Sequence, residues 1–122
     1  MQTLQQERAK HALEKVKAWV PLNEGAKLKA RTHELPFMIH ANGLGQAAAF
    51  FKSKGNKDGY GVVFLALQSW LAQPKRPFEG QTDLMDAIVN ADLRTYRVAQ
   101  AEAMAYMDWV KKFASAYLSD QA

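Results

Sequence analysis

The chain has 122 residues and no cysteine. That excludes a disulfide framework, a thiol nucleophile and any thiolate metal site. It also lacks a run of about 18 uncharged apolar residues, so no membrane span and no membrane partner are expected. The opening Met1-Gln2-Thr3-Leu4-Gln5-Gln6-Glu7-Arg8 has neither the basic start nor the apolar run of an export signal. The simplest reading is a cytoplasmic protein. Strand signals are scarce: Val62–Leu67 suits a strand, and Asp58-Gly59 before it suits a hairpin turn, but no second alternating run is available as its partner. No internal repeat or low-complexity tract is present. Against these absences stands an apolar content of 48%, with three Trp, four Tyr and six Phe, enough for one modest core in a single domain, residues 1–122.

The apolar spacing is helical. Thr3 and Gln6 form a capping-box pair at the start of a first helix. Ala9, Ala12, Leu13, Val16, Trp19 and Val20 share one of its faces, and Pro21 stops it. Asn23 suits the cap of a second, basic helix from Glu24, which ends before Pro36 because the residue before a proline resists the helical region. Pro36 then suits the first turn of a third helix, to about Lys52. This helix is apolar almost all round and belongs in the middle of a bundle. Gly55–Gly59 is a turn. A fourth helix spans about Tyr60–Ala72, and Pro74–Gln81 is a loop. Thr82 caps a short fifth helix with Asp83 in its first turn, and Asp92 caps the last. In that last helix Tyr96, Ala99, Ala103, Tyr106, Val110, Phe113 and Tyr117 recur at three- and four-residue steps. The expectation is an all-α, compact bundle of about six helices with a long C-terminal helix.

Charge is uneven. Residues 1–57 carry ten Lys/Arg and four Asp/Glu, whereas residues 58–122 carry six and eight. Every charge from Glu79 to Asp92 is negative. Such asymmetry suits an anionic partner on one side and a different contact on the other; a solvated surface accounts for it equally well. Lys52, Lys54 and Lys57 either complement a helix end or meet phosphates. Arg94 and Arg97 flank Tyr96, where arginine can grip phosphate, stack on a base or pair with a nearby acid.

No catalytic set emerges. Gly43-Leu44-Gly45-Gln46-Ala47-Ala48 fits a dinucleotide pattern but has no acid at the required distance and no room for a doubly wound sheet. Close helix packing explains its glycines better. His11, His33 and His40 lack metal-ligand spacing, so no metal and no cofactor are expected. His11 reads as a surface residue and His40 as a hydrogen-bonded core residue. Asp83, Asp86 and Asp92 are the best that a metal-dependent nuclease would find, and caps, a solvated face or contact with a basic partner are their more ordinary uses.

Two segments carry a resemblance: Glu34–Phe51, with Asn42-Gly43-Leu44-Gly45-Gln46 at its centre, and Tyr96–Leu118, with Trp109-Val110-Lys111-Lys112-Phe113-Ala114 near its end. Both are similar to the small subunit of the type III-B (Cmr, RAMP module) CRISPR RNA-guided effector complex, used in antiviral defence. Length, element order and the start Thr3–Trp19 fit as well. The resemblance implies a non-enzymatic helical subunit that stacks beside the crRNA-bearing backbone subunits and lines the groove receiving target RNA. Its implied partners are the other Cmr subunits and the crRNA–target RNA duplex or target RNA, with weak self-association of the free chain. Within that role, the basic first half and the arginine beside Tyr96 make Lys27, Lys29, Arg31, Lys52, Lys54 and Arg97 the expected RNA-facing residues, and Asn42, Gly43, Gly45 and Gln46 are expected to be mainly structural. A generic helical adaptor binding only protein is the alternative, ahead of the nuclease.

Overall fold

Thr3 nucleates the first helix as its chemistry dictates. Its hydroxyl accepts from the Gln6 amide (3.1 Å) and the Gln6 side chain accepts from the Thr3 amide (2.9 Å). In the computed structural model, which describes residues 1–120, six α-helices follow one another: α1 (Leu4–Trp19), α2 (Gly25–Asn42), α3 (Leu44–Ser53), α4 (Tyr60–Leu71), α5 (Leu84–Asn90) and α6 (Leu93–Tyr117). Two short 3-10 turns, Val20–Leu22 and Lys57–Gly59, link α1 to α2 and α3 to α4. No strand occurs among the described residues, and Val62–Leu67 is helical.

Several boundaries differ from the sequence expectation. Pro36 lies inside α2 rather than between two helices. A proline there costs roughly 3 kcal/mol, but Leu28, Thr32, Leu35 and Ile39 form one buried stripe that runs past it, and burying Ile39 requires the helix to continue. The break falls at Gly43 instead. Its φ of 88° and ψ of 161° are open to glycine and costly for other residues. Asn23 does not cap α2; it takes the left-handed conformation that closes the first 3-10 turn, and Glu24 precedes α2 without a side-chain cap. Asp83, not Thr82, caps α5. The stretch 36–52 is not enclosed all round: Ile39, Leu44, Ala47, Ala48 and Phe51 are buried in the core, but Phe37 is 70% exposed. Val63, Leu67 and Leu71 of α4 and Ala99, Ala103, Tyr106 and Val110 of α6 belong to the same apolar cluster, and α6 packs along both α1 and α2.

Inside this cluster runs a polar seam joining α1, α4 and α6. Arg8 donates from Nε and Nη2 to the two Glu102 oxygens (2.6 and 2.9 Å), and the Trp70 indole N–H donates to Glu102 Oε2 (2.9 Å). Trp70 and Tyr106 stack with ring centres 5.3 Å apart. Burial would raise the Glu102 pKa, but the hydrogen bonds from Arg8 and Trp70 and the Arg8 charge outweigh it and hold the carboxyl below its ordinary range.

His11 belongs to the same seam, which corrects the surface placement. Its ring nitrogens lie 2.7 Å from Tyr106 Oη and 3.0 Å from Ser69 Oγ. Burial, reinforced by the Lys15 charge, lowers its pKa to about 4, and burial pushes the Tyr106 hydroxyl up. His40, by contrast, is exposed rather than in the core. An unfolded histidine titrates near 6.5, so the unfolded chain binds the extra proton between that pH and about 4. Stability conferred by neutral His11 is full above that window and falls as pH drops through it. Thermal melting from pH 7 to 4.5 is expected to show a loss of up to about 2 kcal/mol after allowance for partial exposure. His11→Gln should flatten that slope; an unchanged slope would remove the assignment.

Candidate nucleic-acid interface

The basic residues of α2 and α3 meet around the turn that opens α4. In that turn Asp58 (φ 50°) and Gly59 (φ 84°) both take positive φ. A Cβ on Gly59 would lie 3.0 Å from Leu28 Cδ2 and 3.5 Å from Arg31 Cγ, so the missing side chain lets the turn sit against α2. Arg31 stacks over the Tyr60 ring at 4.3 Å, and Lys54 Nζ lies 4.9 Å from the centre of the Phe50 ring and 5.9 Å from that of Tyr60. Lys52 Nζ lies over Phe64 at 5.5 Å. Thus Lys27, Arg31, Lys52 and Lys54 converge on one corner.

Their charges are not equally available. Lys27 is 3.6 Å from an Asp58 oxygen, and Arg31 Nε is 3.0 Å from Glu34 Oε1. Lys52, Lys54 and Lys57 are exposed and form no ion pair among the described residues. Lys29 stands apart, since two residues along a helix turn it about 200° away from Lys27. It pairs with Asp120 at 2.6 Å, where the chain leaving α6 passes the start of α2. A side chain on Gly25 would collide with the Ser119 carbonyl there. Arg97 is also separate: it lies beside Tyr96, at the opposite end of α3 from Lys52 and Lys54, exposed and without an ion pair among the described residues. The Tyr60 and Phe50 rings beneath the cations were missed in the sequence, although Tyr60 directly follows the turn.

At that opposite end, α6 clasps the start of α3. The Leu44 amide donates to Gln100 Oε1 and the Gly45 amide to Tyr96 Oη, both at 2.9 Å. A Cβ on Gly43 would lie 3.3 Å from Tyr96 Oη, and one on Gly45 would lie 3.5 Å from both Tyr96 Oη and Ile88 Cγ2. Asn42 and Gln46 are exposed and make no side-chain hydrogen bond among the described residues. Gly45→Leu is expected to lower stability by about 1–3 kcal/mol through overpacking; an unchanged melting temperature would count against it.

Asp83 and Asp92 are occupied as helix caps. They accept from the Asp86 amide at 3.0 Å and the Thr95 amide at 2.7 Å. The Thr95 backbone bond holds the Asp92 carboxyl below the usual range. Among the described residues no group of three or more His, Asp or Glu could hold a metal, and no helix is long and apolar enough to cross a membrane.

Comparison with known proteins places this geometry in context. A family model described as "CRISPR-associated protein (Cas_Cmr5)" matches residues 4–117. The CRISPR system Cmr subunit Cmr5 of Thermus thermophilus is 29% identical over 120 residues, covering 98% of this chain and all of the relative. The crystal structure of a CRISPR-associated Cmr5 family protein from Thermus thermophilus superposes with a TM-score of 0.76 at 29% identity, covering 97% of this chain and all of the other.

Proposed function

Since the chain belongs to the Cas_Cmr5 family of CRISPR-associated proteins, a small-subunit family of the Cmr complex, we propose that it is a non-catalytic small subunit of a type III-B effector complex. In this reading it works in the cell interior, stacks beside the crRNA-bearing subunits and contacts target RNA through phosphates. The family match over 4–117 carries the reading. The corner bearing Lys52, Lys54 and Lys57 supports the RNA contact, because these cations are exposed and free of carboxylate partners among the described residues. Lysine on phosphate is a point-charge contact with little sequence preference, which fits a complex whose guide strand reads the sequence. Lys27 and Arg31 join when a phosphate displaces Asp58 or Glu34, while Lys29, once released from Asp120, and Arg97 offer separate contacts away from this corner. Gly43 and Gly45 serve the fold by letting α6 clasp α3; Asn42 and Gln46 complete that motif at its exposed edge. The acidic segment Glu79–Asp92 faces a neighbouring subunit.

The direct test is to recover the chain from its native cells and identify what accompanies it by RNA sequencing and mass spectrometry. Recovery of crRNA with the other Cmr subunits is the expected result. Recovery of neither, from cells that express the chain, would leave a helical adaptor of other proteins.

A further inference from the structure

Between the last turn of α3 and the first turn of α4 lies a recess of about 270 Å³, lined by Phe51, Lys52, Asn56, Phe64 and Leu65. Its shape depends on two glycines that also line it. A Cβ on Gly61 would lie 2.5 Å from Asn56 Oδ1 and 2.7 Å from the Gly55 carbonyl, whereas Gly55 faces open space. Lacking a side chain at 61, the 55–56 turn folds down against α4 and forms one wall. The floor is apolar but already covered: Phe51 is fully buried and Phe64, 4% exposed, lies beneath Lys52 Nζ, so Leu65 supplies the apolar surface that an occupant can reach. Leu65, 54% exposed, forms an apolar wall that no other part of the described chain covers.

The rim has the opposite character. Asn56 is exposed, and its side-chain amide makes no hydrogen bond among the described residues. It therefore offers one donor group and one acceptor. Lys52 stands over Phe64, and Lys54 and Lys57 follow two and five residues on, none of them in an ion pair among the described residues. An occupant matched to this site has an apolar face to lay on Leu65, a hydrogen-bonding edge and an anionic group attached. The volume falls just below the roughly 300–1,000 Å³ of drug-sized ligand sites, so it admits one ring system rather than a length of chain. A nucleobase with its phosphate meets all of these conditions. A stacked, paired base does not, because its faces are covered and its edge is engaged.

We propose that the recess takes one unpaired base of a single-stranded RNA segment, with Asn56 on its edge and Lys52 and Lys54 on the adjoining phosphates. This rests on the RNA-contact reading above and adds that the corner distinguishes unpaired from paired RNA. Base contacts of this kind tolerate any sequence because every base has an apolar face.

The full-length chain would be titrated with fluorescent single-stranded RNA and with a duplex of the same sequence, at about 50 mM salt, where weak phosphate contacts are measurable. Leu65→Trp fills the recess from an exposed position. It is expected to weaken single-strand binding about fivefold, the loss of roughly one buried CH2 or two of apolar contact, and to leave duplex binding unchanged. Asn56→Ala, which removes no internal hydrogen bond, gives a second reading if the tryptophan disturbs folding. It should weaken single-strand binding with an unchanged melting temperature. Lys52→Glu with Lys54→Glu should weaken both ligands. If that pair weakens both while Leu65→Trp and Asn56→Ala change neither ligand, or change both equally, the base recess is wrong and the phosphate reading stands. If the lysine reversal also has no effect, both readings fall.

Discussion

Glu102→Ala is expected to cost the fold about 3–5 kcal/mol, the range for breaking one side of a buried ion pair. The carboxylate receives two hydrogen bonds from Arg8 and one from the Trp70 indole, and Glu102 and Arg8 are 8% and 15% exposed. Alanine leaves a half-buried guanidinium without its partner and a buried N–H without an acceptor, each a desolvation cost with nothing to offset it. Domains of this kind hold only about 5–15 kcal/mol in total, so the variant should unfold at a much lower urea concentration. Glu102→Gln keeps an acceptor for Trp70 but loses the charge, and should fall between the two. A loss below about 1 kcal/mol would mean that the seam contributes little. Replacing Arg8 and Glu102 together by Met and Leu should recover much of the stability, because an apolar pair carries no desolvation cost.

The second large effect is expected in the assembled effector complex. Lys52→Glu with Lys54→Glu should reduce target RNA affinity at least about tenfold at about 0.15 M salt. It should also flatten the dependence of log K on log salt by about 0.7 for each single-strand phosphate that is no longer neutralised. Reversing Lys27, Lys29 or Arg31 should do less, because Asp58, Asp120 and Glu34 already hold those charges and a phosphate gains only the difference between two anionic partners. Equal losses from both sets would show that these pairs open freely. No loss from either would move the RNA contact to another face.

The ends of the chain were the most legible part. Thr3 and Asp92 are short polar residues placed just before long apolar periodicities, and nothing distant competes with them. Pro36 misled because its local preference is real but smaller than the burial of Ile39 behind it. The stripe Leu28, Thr32, Leu35 and Ile39 keeps helical spacing across the proline, and that longer-range regularity outweighs the local rule. His11 could not be read locally, since Ser69 and Tyr106 lie 58 and 95 residues away. The basic half was legible as composition, whereas the division into paired and unpaired cations was not. Asp120 meets Lys29 across 91 residues, and Asp58 reaches Lys27 only because the left-handed turn brings it back to α2. The base recess was hidden for a similar reason: Gly61 acquires its role only from the turn folded against it.

The seam between α1 and α6 also sets when this protein can fold. Arg8 meets Glu102 at a separation of 94 residues, and Gln5 meets Trp109 at 104. Closing loops of that span is entropically costly, and little is returned until both ends are present. A chain still emerging from the ribosome therefore has its first five helices but lacks the α6 face of Ala99, Ala103, Tyr106, Met107 and Val110 that completes the apolar cluster. It completes folding only when its last 25-residue helix is released. Any truncation that removes α6 forfeits the whole bundle rather than one layer of it.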